Sequence, residues 1–386
     1  MHDTTTSRIS FQPLLFTKSD FPGMFFDDPD SQEMRFKSAW DVIVSLLSPE
    51  ARLLLERENA GRGRHNHTLL SILGILAAKD FFRMPTMKDT LRAVRWNTNV
   101  RTVIGLDRMP GESVVSRGLG RIREILDIQD LFARLVTSYH AGEGHLVDNL
   151  SIDSTIIENR EKPAAREKPQ EPEEKKKKGK PKKGSPEEVA LEERKLLQEK
   201  EMEAYVAEEP EDSVSRLNMR CSVTGKRNSK GKTQYFVGYK AHLAVDDWGI
   251  PAAYVVTGAG VHDSKVALPL LKMAEKRCVF LYDLMDGGYS SGLIDSYSRS
   301  IGKVPVIDFK APRGHEKPEM DKAKKIRYRA RTTVERTNSE LKGMFIPGKL
   351  YYRDAAARFE ISLTVLLETI KRISMVLEKK RKAKAA

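Results

Sequence analysis

The chain has 386 residues, of which 40% are hydrophobic, and a formal net charge of +13. This length allows two or three domains with a sizeable core, and the positive charge favours a polyanionic partner over a small-molecule substrate. Two cysteines exclude a disulfide framework and are expected to be reduced, structural thiols. Because no run of about 18 apolar residues and no N-terminal targeting pattern is present, we expect a cytoplasmic protein without membrane association.

Residues 1–140 are predicted to form an all-α N-terminal domain. Apolar residues at helical spacing indicate a buried helix over 69–78 and amphipathic helices over 87–95 and 114–135. Compact helices joined by short turns are compatible with helix-turn-helix DNA binding. A helical bundle that only supports a catalytic domain or a dimer is the alternative, and the sequence leaves both open.

A first candidate carboxylate lies in the apolar, β-branched run that follows this domain. The run predicts a strand that ends near Ser154, with Asp153 at its carboxyl end. Open α/β sheets place their chemistry at that edge. Asp148 is the alternative, but it lies farther back along the same strand. A side chain that merely forms a turn is the ordinary explanation for a single Asp in this position.

Residues 161–212 are predicted to be a charged, partly disordered insertion. The segment is rich in Lys, Glu and Pro and includes the run Lys175–Lys178. Its first half cannot bury enough apolar surface to offset the entropy of ordering. Residues 189–206 could form an exposed helix. A solvated insertion is favoured over a DNA contact made by the lysines.

Alternating apolar residues predict a hairpin after the insertion. One strand is expected over 234–246 and its antiparallel partner over 251–257. The helical run that follows has Asp263 or Ser264 as a plausible cap. His242 and His262 could assist chemistry, although a lone histidine is more often structural.

A second candidate carboxylate is Asp286. A buried-looking strand over 278–285 leads directly into Asp286-Gly287-Gly288, and the glycines allow a sharp turn or the close approach of a ligand. Asp283 is the alternative. A plain β-turn remains the ordinary explanation for Asp-Gly-Gly alone. A last strand is expected over 304–308.

The segment 328–342 carries the most specific pattern. If it is helical, about 100° per residue places Tyr328, Arg331, Glu335 and Lys342 within one arc of roughly 60°. This stripe is not core packing, because ionised groups are rarely buried without partners. It suits a wet cleft that holds metal and phosphate. A solvated, charged helix face is the alternative.

Residues 346–386 are predicted to form an amphipathic helix with a basic tail. The apolar stripe is expected to pack on the catalytic domain or on a second subunit. The basic end, Lys379–Lys384, is expected to touch the DNA backbone.

The pattern Tyr-x2-Arg-x3-Glu-x6-Lys resembles the signature around the last catalytic carboxylate of bacterial insertion-sequence DDE transposases. Other segments resemble the same family: Ile-Asp-Ser-Thr at 152–155, Gly-Tyr-Lys-x-His-Leu at 238–243, His-Asp-Ser at 262–264 and Asp-Gly-Gly-Tyr at 286–289. The segment 110–122 resembles the family's N-terminal domain, and several of its side chains could face phosphate: Ser113, Ser116, Arg117 and Arg121.

The resemblance implies an α/β fold class, an RNase H-like mixed sheet flanked by helices. The catalytic domain would comprise residues 141–160 and 213–345. The insertion would lie between the first two acids, whereas better-known relatives carry a β-rich insertion between the second Asp and the Glu. A hairpin-forming excision route is therefore not carried over to this chain.

The resemblance also implies site roles. Asp153, Asp286 and Glu335 would be the catalytic, metal-binding acids, and carboxylates without a Cys/His cluster favour two Mg²⁺ or Mn²⁺ ions. DNA phosphates would be bound by the remaining stripe residues: Tyr328, Arg331 and Lys342.

The implied reaction is cleavage at the terminal inverted repeats of an insertion sequence and joining of the 3′ ends to target DNA. The implied partner is double-stranded DNA, bound by a homodimer or larger assembly associated with the nucleoid. A transposase-derived protein that only binds DNA, and a metal-dependent nuclease of the same fold, are the alternatives.

Overall fold

The computed structural model describes residues 31–57, 67–143, 146–163, 184–227, 230–309, 316–317, 319–343 and 348–385. The run Lys175–Lys178, and with it most of the expected disordered half of the insertion, lies outside the described residues. The first 30 residues of the expected N-terminal domain lie outside them as well.

The described part of the N-terminal region is helical, as expected. Its helices are α1 (Gln32–Leu46), α2 (Pro49–Glu56), α3 (Leu69–Phe81), α4 (Met87–Trp96), α5 (Thr98–Val103), α6 (Glu112–Ile125) and α7 (Ile128–Glu143). The first five begin after a Ser, Thr or Asn whose side chain accepts a backbone hydrogen bond from the first turn. The single helix expected over 114–135 is two helices, because Leu126 is extended and the Asp127 side chain accepts from the Gln129 amide.

The rest of the chain builds a mixed sheet. Its strands are β1 (Val147–Asn159), β2 (Ser222–Arg227), β3 (Thr233–Val245), β4 (Pro251–Gly258), β5 (Phe280–Met285), β6 (Val304–Ile307) and β7 (Lys349–Leu350). The helices are α8 (Pro186–Ala207), α9 (Pro210–Ser215), α10 (Ser264–Glu275), α11 (Gly292–Ser300), α12 (Lys322–Tyr328), α13 (Thr332–Gly343) and α14 (Asp354–Ala385).

The sheet is antiparallel on one side and parallel on the other. Strand β3 pairs antiparallel with β1, β2 and β4, and β5 pairs parallel with both β1 and β6. Short β7 adds to the end of β1. Four antiparallel strands, a helix, two parallel strands and further helices form an α/β arrangement consistent with the expected RNase H-like fold.

Apolar residues are buried on both faces of the sheet. On one face, Leu243 and neighbouring β3 residues join a core formed with the N-terminal helices, α13 and α14. On the other face, β1 and β5 pack against α10 and α11, with the end of α8 nearby. Helix α14 packs among the N-terminal helices and onto β4 of the sheet. Of the two expectations for its apolar stripe, packing on the catalytic domain or on a second subunit, the contact with β4 agrees with the first.

Three smaller features complete the fold. Helix α8 is mostly exposed, and Met202 and Tyr205 near its end are buried. Cys221 and Cys278 are both free and buried. Within the part of the chain that the structure describes, no helix is long and apolar enough to span a membrane.

Candidate active site

Asp153 and Asp286 follow the last paired residues of two neighbouring parallel strands. Ile152 of β1 lies opposite Met285 of β5, and each acid is the next residue along. Because neighbouring strands are about 4.8 Å apart, the two acids lie side by side at the end of the parallel ladder. The expectation that β1 ends near Ser154 is wrong, because residues 154–158 continue to pair with β3. Asp153 therefore lies at the end of the parallel ladder rather than at the end of its strand.

The carboxylate of Asp153 is held by two side chains of the helical segment that follows β6. Arg331 Nη2 lies 2.9 Å from Asp153 Oδ1, and Asn338 Nδ2 donates to Asp153 Oδ2 at 3.0 Å. Burial raises the pKa of Asp153, and so does the negative charge of Asp286, while Arg331 opposes the increase. Asp153 and Asp286, two acids of like charge, therefore lie close together where burial has removed part of their solvent, an arrangement common at functional sites.

The stripe predicted over 328–342 does not lie on one continuous α-helix. Helix α12 ends at Tyr328, residues 329–331 form a 3₁₀ turn, and α13 begins at Thr332. Arg331 nevertheless contacts Glu335 one turn later, with Nη1 2.6 Å from Oε1. One guanidinium therefore lies between Asp153 and Glu335. The Glu335 side chain is 55% exposed, whereas that of Arg331 is 12% exposed.

Tyr328 and Lys342 flank this contact. Burial, together with the charge of Asp308 and of Asp286, raises the pKa of Tyr328 to about 12, so its hydroxyl keeps its proton at neutral pH. Burial lowers the pKa of Lys342, as does the neighbouring positive charge of Lys226.

Asp263 is a further carboxylate beside Asp153. It precedes α10 but makes no capping hydrogen bond, so the expected capping role is not observed for its side chain. Its Oδ1 instead accepts from Ser154 Oγ at 3.0 Å and from Lys240 Nζ at 2.9 Å. Burial opposes ionisation of Asp263, but its pKa is lowered by His242 when that imidazole is protonated at low pH, and by the charge and hydrogen bond of Lys240.

His242 is enclosed behind this group. Burial lowers its pKa to about 4, so the imidazole is neutral at pH 7 and Lys240 supplies the positive charge that stabilises Asp263. His242 Nε2 shares a hydrogen bond with Thr257 Oγ1 at 3.0 Å, and Nδ1 lies 3.8 Å from Asp263 Oδ1. His242 is fully buried and does not line the cleft, so any part it plays in the chemistry would be indirect, through Asp263.

These groups open onto a cleft of about 710 Å³. Its lining includes the carboxylates of Asp153, Asp263 and Asp286 and the cations of Lys226, Arg227 and Lys342. A cleft lined by both carboxylates and cations can accept a polyanion whose reacting phosphate needs a cation.

The alternatives left open by the sequence lie elsewhere. Asp148 is exposed and does not line the cleft. Asp283 lies within β5 and is fully buried; it accepts a hydrogen bond from Ser298 Oγ at 2.9 Å, and burial raises its pKa to about 6. His262 lines a separate cavity and pairs with Ser264 Oγ at 2.8 Å.

Among the residues that the structure describes, no three Asp, Glu, His or Cys side chains converge closely enough to bind one metal ion. Glu335 is linked to Asp153 only through Arg331. The donor chemistry still fits a hard divalent cation, because burial, together with the nearby charges of Asp286 and Asp263, raises the pKa of Asp153. A cation among these oxygens would relieve that repulsion.

Sequence reasoning missed two partners of Asp153. Asn338 lies seven residues after Arg331, close to two helical turns, so its position on the same stripe was a usable signal. Asp263 was considered only as a cap, and its contact with Ser154 depends on the pairing of β1 with β3. Tyr289 is also buried near this group, and its pKa is raised by burial and by the charges of Asp263, Asp153 and Asp286.

Comparison with known proteins identifies one family. The model of the transposase DDE domain matches residues 210–367. This range runs from α9 into α14 and includes Asp286 and Glu335, whereas Asp153 precedes it. No curated protein and no solved structure matches the chain.

Proposed function

The chain carries a transposase DDE domain, and from this premise we propose that it is the active transposase of an insertion sequence. It would cleave DNA at the terminal inverted repeats and join the 3′ ends to target DNA. The observation that carries the proposal is that Asp153 and Asp286 each directly follow the last pair of one parallel ladder, with Arg331 joining Asp153 to Glu335.

Asp153, Asp286 and Glu335 are the proposed ligands of two Mg²⁺ or Mn²⁺ ions. When bound, such ions activate a water or a 3′-hydroxyl and stabilise the leaving oxygen of an in-line phosphoryl transfer. The chain's part is to hold the acids in place. Asn338 fixes one oxygen of Asp153, and the Asp286 side chain accepts from the Gly288 amide at 2.8 Å.

Arg331, Lys342 and Tyr328 are the proposed phosphate ligands. Arg331 offers a planar fork suited to two phosphate oxygens, and Lys342 offers a point charge. The raised pKa of Tyr328 keeps its hydroxyl a hydrogen-bond donor. In this structure the guanidinium of Arg331 forms ion pairs with Asp153 and Glu335. When a metal cation neutralises those two acids, Arg331 would be free to bind a phosphate.

A strand-transfer assay tests the proposal. The gene's flanking DNA supplies the substrate: imperfect inverted repeats bracketed by a short target duplication are expected there. A duplex with one pre-cut repeat end is incubated with the protein, Mn²⁺ and a supercoiled plasmid. Insertion of the end into the plasmid is the expected result. Degradation of the duplex would identify a nuclease, and binding without any cleavage or joining would identify a DNA-binding protein.

A further inference from the structure

A two-stranded arm extends the sheet beyond the acids. Residues 239–245 of β3 lie between β1 and β4, whereas residues 233–237 pair with β2 alone among the described strands. At about 3.4 Å per residue the five unsupported residues span roughly 17 Å. Gly238 lies at the base of this arm with φ of +154°, and a Cβ there would lie 2.1 Å from the Ile157 carbonyl oxygen. The close passage of β3 over β1 at this point therefore requires glycine.

The tip of the β2–β3 arm is strongly basic. Residues 226–232 read Lys-Arg-Asn-Ser-Lys-Gly-Lys, four cations without an acid. Lys226 and Arg227 are exposed, and Lys230 is exposed in the turn. Arg227 Nε donates to the Gly231 carbonyl at 2.9 Å, so this side chain also closes the turn.

One face of the arm forms a wall of the cleft. Thr224 lies opposite Phe236, and both line the cleft together with Lys226. Lys342 of α13 lines the same cleft, and the charge of Lys226 contributes to its lowered pKa. Cations from two separate elements therefore lie near each other in the cleft, where a phosphate would relieve their repulsion.

The other face of the arm presents an aromatic ring to solvent. Tyr235 is 73% exposed and packs over Gly225, where an added Cβ would lie 3.3 Å from its ring. Basic residues interleaved with an exposed aromatic ring are typical of surfaces that follow a nucleic-acid strand.

The spacing between the arm and the acids sets its place on DNA. From Asp153 to Glu158, where the arm begins, β1 advances five residues, or roughly 17 Å. Duplex DNA rises 3.4 Å per base pair, so the base of the arm lies about five base pairs from Asp153. Lys226 lies opposite Gln234, four residues beyond the base, so it lies up to about nine base pairs from Asp153.

We propose that the β2–β3 arm binds the DNA phosphate backbone about five to nine base pairs from the reacting phosphate and so holds the DNA end in the cleft. This inference rests on the proposed function, because the position is defined relative to the reacting phosphate. Lysines that merely protect an exposed edge strand from pairing with other chains are the competing explanation.

The test compares two double variants with the same loss of charge. Lys226→Ala/Lys230→Ala removes arm cations and retains Arg227, which closes the turn. Arg194→Ala/Lys195→Ala on exposed α8 is the matched control. Circular dichroism melting confirms that both variants are folded. The probe is a 30-base-pair duplex that ends in the pre-cut inverted repeat.

The arm variant is expected to bind the duplex roughly tenfold more weakly at 0.1 M salt, with the slope of log K against log salt reduced by about 2. Hydroxyl-radical protection about five to nine base pairs from the end should disappear while protection at the end persists. The control should match the wild type. Equal affinity, slope and footprint in the two variants would overturn the arm proposal and leave the proposed function standing. If the wild-type protein binds the duplex but never joins it to a plasmid, the proposed function fails, and the footprint still decides whether the arm contacts DNA.

Discussion

Arg331 is the residue on which the acidic site depends. Its guanidinium contacts Asp153 and Glu335, and its side chain is 12% exposed. Removing one partner of a buried ion pair leaves the other charge uncompensated and is strongly destabilising. Arg331 therefore does for the two acids what a bound cation would do.

Arg331→Gln is expected to lower the melting temperature, because Asp153 and Glu335 then repel each other in a partly buried place. Mn²⁺ should restore more of the lost stability in this variant than it adds to the wild type. Thermal melts with and without Mn²⁺ measure both effects, with Arg336→Gln on the exposed side of α13 as the control. An identical Mn²⁺ shift in variant and wild type would contradict this account of Arg331.

Asp283 gives a pH-dependent prediction that separates it from Asp286. Burial raises the pKa of Asp283 to about 6, so the folded protein binds this proton more tightly than the unfolded chain. Its contribution to stability is greatest at low pH and is lost as the pH rises from about 4 to about 6, by roughly 3 kcal/mol. Asp283→Asn should abolish that loss.

Urea unfolding of Asp283→Asn at pH 4, 5, 6 and 8 measures the effect. The variant is also expected to retain strand transfer, because the Asp283 side chain faces Ser298 and not the cleft. A wild-type pH profile in the variant would show that Asp283 is not the titrating group. Loss of strand transfer in a folded variant would show that the Asp283 carboxyl group is needed for the reaction.

Local sequence information was sufficient to predict that Asp153 and Asp286 each follow a run of buried strand residues. The strand patterns and glycines around them are properties of a few adjacent residues. The contacts of Asn338 with Asp153 and of Asp263 with Ser154 could not be predicted from neighbouring residues alone. They form only because α13 and the start of α10, which are far from β1 in the sequence, pack against it.

At the scale of elements, the strands and helices of the sheet follow their sequence patterns closely. Strand β3 and strand β4 match the expected hairpin to within one residue at each end. The length of β1 was underestimated, since its last residues are stabilised by pairing with β3 rather than by their own pattern. The break between α12 and α13 was missed for a similar reason, as 3₁₀ turns preserve much of the helical spacing.

The basic end of α14 supplies a prediction at this scale. Lys379→Ala/Arg381→Ala/Lys384→Ala is expected to weaken DNA binding by a similar factor for every sequence, because phosphate contacts carry no base information. The slope of log K against log salt should fall by about 2 to 3 if all three residues contact phosphate. Fluorescence anisotropy with repeat and scrambled duplexes measures this. An unchanged salt slope would refute a phosphate contact at this end of α14.

At the scale of the whole molecule, α14 joins the N-terminal helices to the sheet. Its Glu360 pairs with Lys79 of α3, and Thr364 Oγ1 donates to Asp80 at 3.0 Å. Burial raises the pKa of Glu360 to about 7, although Lys79 opposes the increase. This buried ion pair joins α3 to α14, two helices whose paired residues are 281 positions apart in the sequence.

Lys79→Ala is expected to lower the free energy of unfolding by about 3 kcal/mol, since it leaves Glu360 and Asp80 buried without their cation. Chemical denaturation measures the change, and Lys88→Ala on the exposed side of α4 is the control. A change within about 0.5 kcal/mol would show that the pair does not stabilise the junction between α3 and α14.

The central claim is that Asp153, Asp286 and Glu335 act together on a DNA phosphate. The most direct measurement is strand transfer of a pre-cut repeat end into a plasmid by Asp153→Asn, Asp286→Asn and Glu335→Gln, with DNA binding measured on the same preparations. Each variant is expected to lose strand transfer while its affinity for the repeat end stays within a few-fold of the wild type. Strand transfer at the wild-type rate by any one of the three would contradict the claim.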